Sequence, residues 1–391
     1  MSETMRPNDQ GVTMESTTLV MALELSSSLW RVAFTTGVGQ RPRRRIVRRE
    51  QWAHFADEIA TAKARFHLSP DAPVVSCYEA GPDGFWIHRF LTALGVENLV
   101  VDSASIEVSR RARHAKTDRL DVERLLALVL RYVGGERSAL RVVHVPGEAD
   151  EHRRQLHREL LTLTQDRVRV TNRIRGVLLT LGIHAPIGAQ FGRTLKRLQQ
   201  WNGDPLPAPV RTRLEREWAH VELLTRQMKA LVAERHAVVC EASSGLGEQV
   251  RRLARLKGVG EHSAWVFAAE FFAWRQLRNR RQVGAIAGLV PTPHQSGSLE
   301  WEQGISKAGN RHVRALAIQI AWSWIRRQPH SALTQWYQSR FGGGGPRARK
   351  IGIVAVARRL LIALWRYLDA GVLPEGATLA VKRGAPAITP A

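Results

Sequence analysis

The chain has 391 residues, enough for two or three domains with separate cores. Lys plus Arg number 58 against 35 Asp plus Glu, a formal charge of +23, which points to a polyanionic partner held with salt-dependent affinity. No run of 18 apolar residues occurs, Met1 to Thr18 lacks a signal-peptide core, and the two cysteines, Cys77 and Cys240, are too few for a disulfide framework or a zinc cluster. The expectation is a cytoplasmic, nucleoid-associated bacterial protein that binds nucleic acid and has no membrane partner.

Residues 1–17 read as a disordered leader. β-type alternation begins at Leu19-Val-Met-Ala-Leu-Glu-Leu, turns at Ser26-Ser-Ser, and resumes at Leu29-Trp-Arg-Val-Ala-Phe. A third strand is expected at Arg44 to Arg49 and a helix at Gln51 to Phe66. Strand Pro73 to Glu79, helix Phe85 to Leu94, strand Asn98 to Asp102 and a helix from Thr117 onward follow. Three strands, helix, strand, helix, strand, helix is the order of a ribonuclease-H-like, or RuvC-like, α/β domain over 18–147. Long charged helices at Glu148 to Leu181 and Arg211 to Cys240 form a helical coiled-coil arm over 148–245, which is either a spacer or a dimerisation element. An α-helical domain over 246–373 opens with Gly258-Val-Gly260, a helix-hairpin-helix-like turn. Gly342-Gly-Gly-Gly-Pro346 reads as a hinge and 374–391 as a disordered tail.

Four acids stand out in the first domain. Glu24 lies on the first strand, Glu79 ends the fourth, and Asp118 and Asp121 lie one helical turn apart and so point to one side. Hard carboxylate oxygens on these elements suit divalent metal ions acting on a phosphodiester. Singly, each acid is more often a surface charge, and Asp118 also suits a helix N-cap. Lys116 precedes the pair and can neutralise a phosphate. Asp102, Glu107 and Glu123 are nearby acids without an evident partner in the pattern.

In the last domain, Gly288-Leu-Val-Pro-Thr-Pro-His-Gln-Ser296-Gly297 places a serine in a Gly/Pro-rich turn, and Gly304-Ile-Ser-Lys-Ala-Gly-Asn-Arg311 follows. Ser296 beside Gly297 suits a nucleophile that a phosphate must approach closely. Lys307, Asn310, Arg311 and Arg314 lie in or beside the start of a helix, where an anion is favoured. A lone Ser-Gly is most often only a turn, and Ser298 and Ser306 are rivals. His294 and His312 complete no Ser-His-Asp spacing.

Together these residues resemble the insertion-sequence transposases with an N-terminal RuvC-like DEDD domain and a C-terminal serine domain, the bridge-RNA-guided recombinases. The carrying motifs are Lys116-Thr-Asp-Arg-Leu-Asp121, Leu256-Lys-Gly-Val-Gly260 and the stretch from Gly288 through Ser296 to Arg311. The resemblance spans about Thr18 to Leu368. It implies Ser296 as the nucleophile and Glu24, Glu79, Asp118 and Asp121 as ligands of Mg2+, two ions. Glu24 stands where the family usually carries Asp, and its extra methylene alters the geometry of its reach. The resemblance further implies double-stranded DNA substrates at element ends and target, a structured guide RNA, and a homo-dimer or tetramer in which domains of different protomers share a site.

Base pairing to such an RNA would leave the protein only backbones to grip. Arg41 to Arg45, Arg48, Arg49, Lys63, Arg65 and the Arg110 to Arg113 run are RNA-contact candidates, or else ordinary solvated edges. Most of the 12 tryptophans suit cores. Competing readings are a junction-resolving endonuclease, with Ser296 structural and metal-activated water as nucleophile, and a decayed, non-catalytic nucleic-acid-binding protein.

Overall fold

The computed structural model describes residues 17–103, 106, 118–241, 244–296 and 299–380. The chain divides into two compact units, Met1–Val145 and Pro146–Ala391. Among the described residues no helix is long and apolar enough to cross a membrane.

The first unit is a mixed sheet covered on both faces. Its strands are β1 (Leu19–Leu25), β2 (Leu29–Thr35), β3 (Arg43–Arg48), β4 (Val74–Glu79) and β5 (Glu97–Val101), in the order β3-β2-β1-β4-β5. β1 to β3 form an antiparallel meander, whereas β1 with β4 and β4 with β5 are parallel. Alternation along β1 sends Leu19, Met21 and Leu23 to one face, with Trp30, Phe34 and Tyr78. That face packs against α1 (Phe55–Arg65), preceded by a 3-10 turn over Arg49–His54, and α2 (Trp86–Ala93). Val20, Ala22, Val75 and Cys77 turn to the other face and pack against Val122, Leu125, Leu126 and Val129 of α3 (Asp118–Val133). The expected element order is therefore present, in an architecture consistent with a ribonuclease-H-like domain.

The second unit begins with a long antiparallel helix pair, α4 (Glu148–Leu179) and α6 (Ala208–Cys240). Val170, Ile174 and Leu178 meet Leu214, Val221 and Leu224, and the short α5 (Phe191–Leu195) plugs the connection with Phe191 against Trp218. Arg173 and Glu217 pair across the helices at 2.8 Å. The rest is helical apart from one hairpin: α7 (Gly245–Ala254), α8 (Glu261–Phe267), α9 (Arg280–Ile286), β6 (Pro291–Ser296), β7 (Leu299–Ile305), α10 (Arg311–Arg327), α11 (Ala332–Tyr337) and α12 (Pro346–Ala370). Trp265, Phe267, Phe271, Trp324, Leu360 and Leu364 lie in its core.

The stretch read as a hinge, Gly342 to Pro346, leads into α12, with Gly345 as an extended cap and Pro346 in the first turn, where its missing N–H goes unneeded. Part of the stretch expected to be a disordered tail is bound: Gln328 Nε2 donates to the Thr378 carbonyl at 2.9 Å, Lys257 N to the same carbonyl at 3.1 Å, and Ala332 N to the Glu375 carbonyl at 3.0 Å. Residues 381–391 and the expected leader through residue 16 lie outside the described residues.

α8 runs into a π-helical turn, 268–272, which carries a carboxylate into the core of the unit. Glu270 is fully buried and accepts from Arg158 Nε at 3.0 Å and Arg154 Nε at 3.3 Å, both on α4. Burial works to raise its pKa, but the hydrogen bonds and charges of Arg158 and Arg154 outweigh that and hold it below the usual carboxylate range. His157, between the two arginines in sequence, is 2% exposed, and its ring lies 5.7 Å from that of His262 on α8 and 6.4 Å from that of His312 on α10. Burial lowers its pKa to about 4; Glu270 opposes the shift, while His262, Arg235 of α6 and His312 add to it.

The folded chain thus protonates His157 near pH 4, whereas an unfolded His does so near 6.5. Between those values the unfolded state binds more protons, so stability falls as pH drops through the window. We expect His157 to account for a loss of about 2 kcal/mol between pH 7 and pH 5, within that linkage. Urea unfolding at both pH values, on wild type and His157→Gln, checks this; an equal loss in the variant would contradict it.

Candidate functional site

Two of the four expected carboxylates, Glu24 and Glu79, lie near the C-terminal ends of the neighbouring interior strands β1 and β4. β1 and β4 are in register up to Leu23 opposite Tyr78, so the next residues, Glu24, one before the end of β1, and Glu79, the last of β4, lie side by side. Alternation places Glu24 with Val20 and Ala22, and Glu79 with Val75 and Cys77, on the face that α3 covers. Both glutamates are half-buried. The Cys77 thiol donates to the Leu125 carbonyl at 3.7 Å, seating α3 on β4. Asp121 lies one turn before Leu125, and Asp118 begins the helix.

These donors are all carboxylate oxygens, a set that fits a hard divalent cation such as magnesium rather than zinc. Burial pushes the Cys77 thiol up to about 12, so it stays protonated and supplies no thiolate. Among the described residues no three His, Cys, Asp or Glu are already drawn together as a metal cage. The Asp118 side chain, Lys116 and Glu107 lie outside the described residues. Two acids beyond the expected quartet have other partners: Glu123 pairs with Arg44 at 2.7 Å and Asp102 with Arg141 at 3.6 Å.

The serine motif forms a β-hairpin rather than an irregular turn. Ser296 ends β6 opposite Leu299, the first residue of β7, and a bulge lies between Pro291 and Pro293. The side chains of 293–296 and 299–303, with Gly297 and Ser298, lie outside the described residues. The segment after β7 is clamped onto the segment before β6. Ser306 N donates to the Val290 carbonyl, Lys307 N to Gly288 and Asn310 N to Ile286, at 2.9, 3.1 and 3.1 Å.

Two glycines make that clamp possible. Gly309 has φ +122, and a Cβ there would be driven onto the Ile286 carbonyl oxygen; Gly288 has φ +67, and its Cβ would lie 2.6 Å from the Ala308 oxygen. Asn310 caps α10, accepting from the amides of His312 and Val313 at 3.0 and 3.1 Å, and its amide also reaches Glu270 Oε2 at 3.4 Å. Arg314 Nη1 donates to the Lys307 and Ala287 carbonyls at 2.9 and 3.3 Å, tying the loop from beneath. Lys307 and Arg311 are exposed.

Glu270 and its arginines adjoin this loop through the Asn310 amide and lie outside the sequence motifs. A local signal exists: Ala268-Ala-Glu-Phe-Phe-Ala-Trp274 holds one carboxylate in an apolar run, and a carboxylate buried that way needs cationic partners. Several basic candidates for RNA contact are instead engaged within the first unit. Arg43 and Arg45 both reach Glu58, at 3.1 and 2.8 Å, and Arg49 reaches Asp83 at 2.8 Å. Lys63 Nζ donates to the Pro70 carbonyl at 2.6 Å, and Arg110 to Arg113 lie outside the described residues.

A sheet ending in paired carboxylates and a clamped serine hairpin accompany clear similarity to transposases. The model of the Transposase IS116/IS110/IS902 family matches residues 250–336, and a DEDD-type transposase model matches residues 35–183. The chain is 41% identical over 374 residues to the putative transposase y4rJ of Sinorhizobium fredii, covering 92% of this chain and 94% of that protein. It is 30% identical over 258 residues to the putative transposase y4qE of the same organism, covering 64% and 58%. With the transposase for insertion sequence element IS1328 of Yersinia enterocolitica it shares 24% over 277 residues, covering 69% and 77%. The fold and these similarities define a transposase, an enzyme that cleaves and rejoins DNA of a mobile element. The chain belongs to the IS116/IS110/IS902 family.

If the clamp depends on glycine, Gly309→Ala should lose at least about 2 kcal/mol from left-handed strain and the displaced Ile286 contact. The urea midpoint measures this, and a change below about 0.5 kcal/mol, the range of an ordinary surface substitution, would contradict it.

Proposed function

We propose that this transposase breaks and rejoins DNA through Ser296, with Glu24, Glu79, Asp118 and Asp121 as a second essential constellation. What supports the reading is the register that sets Glu24 and Glu79 beside each other near the ends of β1 and β4, on the sheet face that α3 covers. On the serine side, its support is the glycine-dependent clamp that fixes the feet of the Ser296 hairpin.

Ser296 Oγ attacks the scissile phosphorus. The Oγ–P bond forms as the P–O bond to one deoxyribose breaks, the hydroxyl proton passes to solvent, and the departing oxygen takes up a proton. Attack by a DNA hydroxyl on the phosphoserine then restores Ser296 and joins the new strand, with no external energy source. Magnesium bound by the four carboxylates would supply charge neutralisation for the phosphate. Lys307 and Arg311 face solvent and meet DNA backbone, with Lys116 assigned the same role. Asn310 and Arg314 serve by holding the loop that presents them.

Three further parts belong to this reading. The Gly258 turn, with φ +99 between α7 and α8, acts as a helix-hairpin-helix element whose amides meet a phosphate. The α4–α6 pair acts as a coiled-coil arm through which protomers assemble as a dimer or tetramer. A structured guide RNA supplies sequence choice, which suits a chain whose excess charge is spread widely.

Excision-junction PCR in a clean host, with the gene in its native flanking DNA, tests the reading. Wild type should yield a circular junction, and Ser296→Ala and Asp118→Ala should each reduce it at least 1,000-fold, roughly the scale of losing a nucleophile or an essential charge. A junction that survives Ser296→Ala would move the chemistry to water activated at the carboxylates, as in a junction-resolving endonuclease.

A further inference from the structure

The outer face of α12 lines a groove of about 1710 Å³ in the second unit. The inner face of the helix, including Ile353, Val356, Leu360 and Leu364, is in the core, so the outer one is set by helical repeat. It carries Arg347, Lys350, Arg358, Arg359 and Arg366. Arg280 and Arg281 at the start of α9 and Arg340 after α11 add three cations from other elements lining the groove. Glu375 is the only acid among the lining residues, and among the described residues none of the eight cations forms an ion pair. Arg359 lies over the Trp336 ring, its Cζ 3.7 Å from the ring centroid.

This arrangement differs from the basic edge of the first unit's sheet. Arg43, Arg45 and Arg49 have carboxylate partners, whereas the groove gathers cations without them. From Arg347 to Arg366 the helix spans about 28 Å. Each strand of duplex DNA places a phosphate about every 3.4 Å of axis, so the five cations of α12 and the three on neighbouring elements can meet several phosphates along that length. Pro291, Gly304 and Ile305, the feet of the β6–β7 hairpin, also line it, so the groove begins beneath the segment that carries Ser296.

We infer that this groove holds the backbone of the duplex DNA flanking the bond that Ser296 cuts. The inference rests on the serine reading for which DNA lies there, and on the groove's own charge and length for the binding itself. Its grip is on phosphates and carries no sequence preference. The exposed Arg347, Lys350 and Arg366 bind by charge, while Arg359 on Trp336 forms a stacked cationic shelf.

The test uses full-length Ser296→Ala protein, so that no chemistry intervenes, and fluorescence anisotropy with a labelled duplex of the element end across a salt series. Arg347→Gln/Lys350→Gln/Arg366→Gln should weaken binding on the order of 10- to 100-fold near 0.15 M salt and reduce the log–log salt slope by about 2 to 3. Arg280→Gln/Arg281→Gln, on a second element of the groove, should act in the same direction. Arg193→Gln/Lys196→Gln/Arg197→Gln removes the same charge from positions at and just beyond α5 and should change the slope by less than about 1. Equal effects of the two triple variants would overturn the proposal, because the groove would then be ordinary basic surface. Loss of binding to a structured RNA hairpin with duplex binding intact would overturn it in favour of an RNA site. Junction formation by Ser296→Ala alongside duplex binding lost in the groove variant would sink the serine reading while leaving the groove's binding role standing.

Discussion

A buried carboxylate between two arginines determines how the second unit holds together. Glu270 has no exposure to water, and Arg154 and Arg158 reach it from α4, a helix far away in sequence. Removing one partner of such a buried pair typically costs about 3–5 kcal/mol, because the remaining charge is stranded. α4 is therefore fastened at its root to the π-helical turn 268–272. The same carboxylate meets the Asn310 amide, which caps α10 and ends the loop after the serine hairpin. The long helix pair, the turn and the serine loop share one polar anchor. Burial of His157 beside it adds a cost on acidification, which ties the integrity of this junction to pH.

The charge of the chain has distinct uses. On the first unit, Arg43, Arg44, Arg45 and Arg49 bind the sheet edge to acids on neighbouring elements. Arg154, Arg158 and Arg314 act within the second unit as structural donors to Glu270 and to loop carbonyls. The cations along α12 have no such carboxylate partners among the described residues and line one groove, which is the surface proposed to meet DNA. Counting basic residues cannot make that distinction, because an arginine bound to a carboxylate and one facing a groove contribute equally to net charge.

Most of the first unit is legible in the amino-acid sequence. Alternation at Leu19 to Leu25 and Leu29 to Thr35 and the apolar run ending at Glu79 mark strands, and the helices between them dictate which strands run parallel. That order also brings Glu24 and Glu79 side by side near the ends of neighbouring strands, so local pattern places each glutamate on its strand and the topology sets them together. The hairpin around Ser296 reads as a turn because Pro291 and Pro293 interrupt the alternation that marks a strand; the strand accommodates them with a bulge. The role of Asn310 as a cap, the clamp by Arg314 and the binding of 374–380 depend on residues brought together only by tertiary packing. The Glu270 anchor has a local sign, a lone acid in an apolar run, but its partners lie 116 and 112 residues away.

The central claim is that Ser296 becomes covalently joined to DNA. Purified protein with magnesium, both with and without RNA transcribed from the element's flanks, is incubated with end-labelled element DNA and denatured in detergent. The adduct is then digested for peptide mass spectrometry. A detergent-resistant protein–DNA species is expected in wild type, with the phosphodiester on Ser296, and none in Ser296→Ala. Cleaved DNA without any covalent species, or an adduct on another residue, would contradict it.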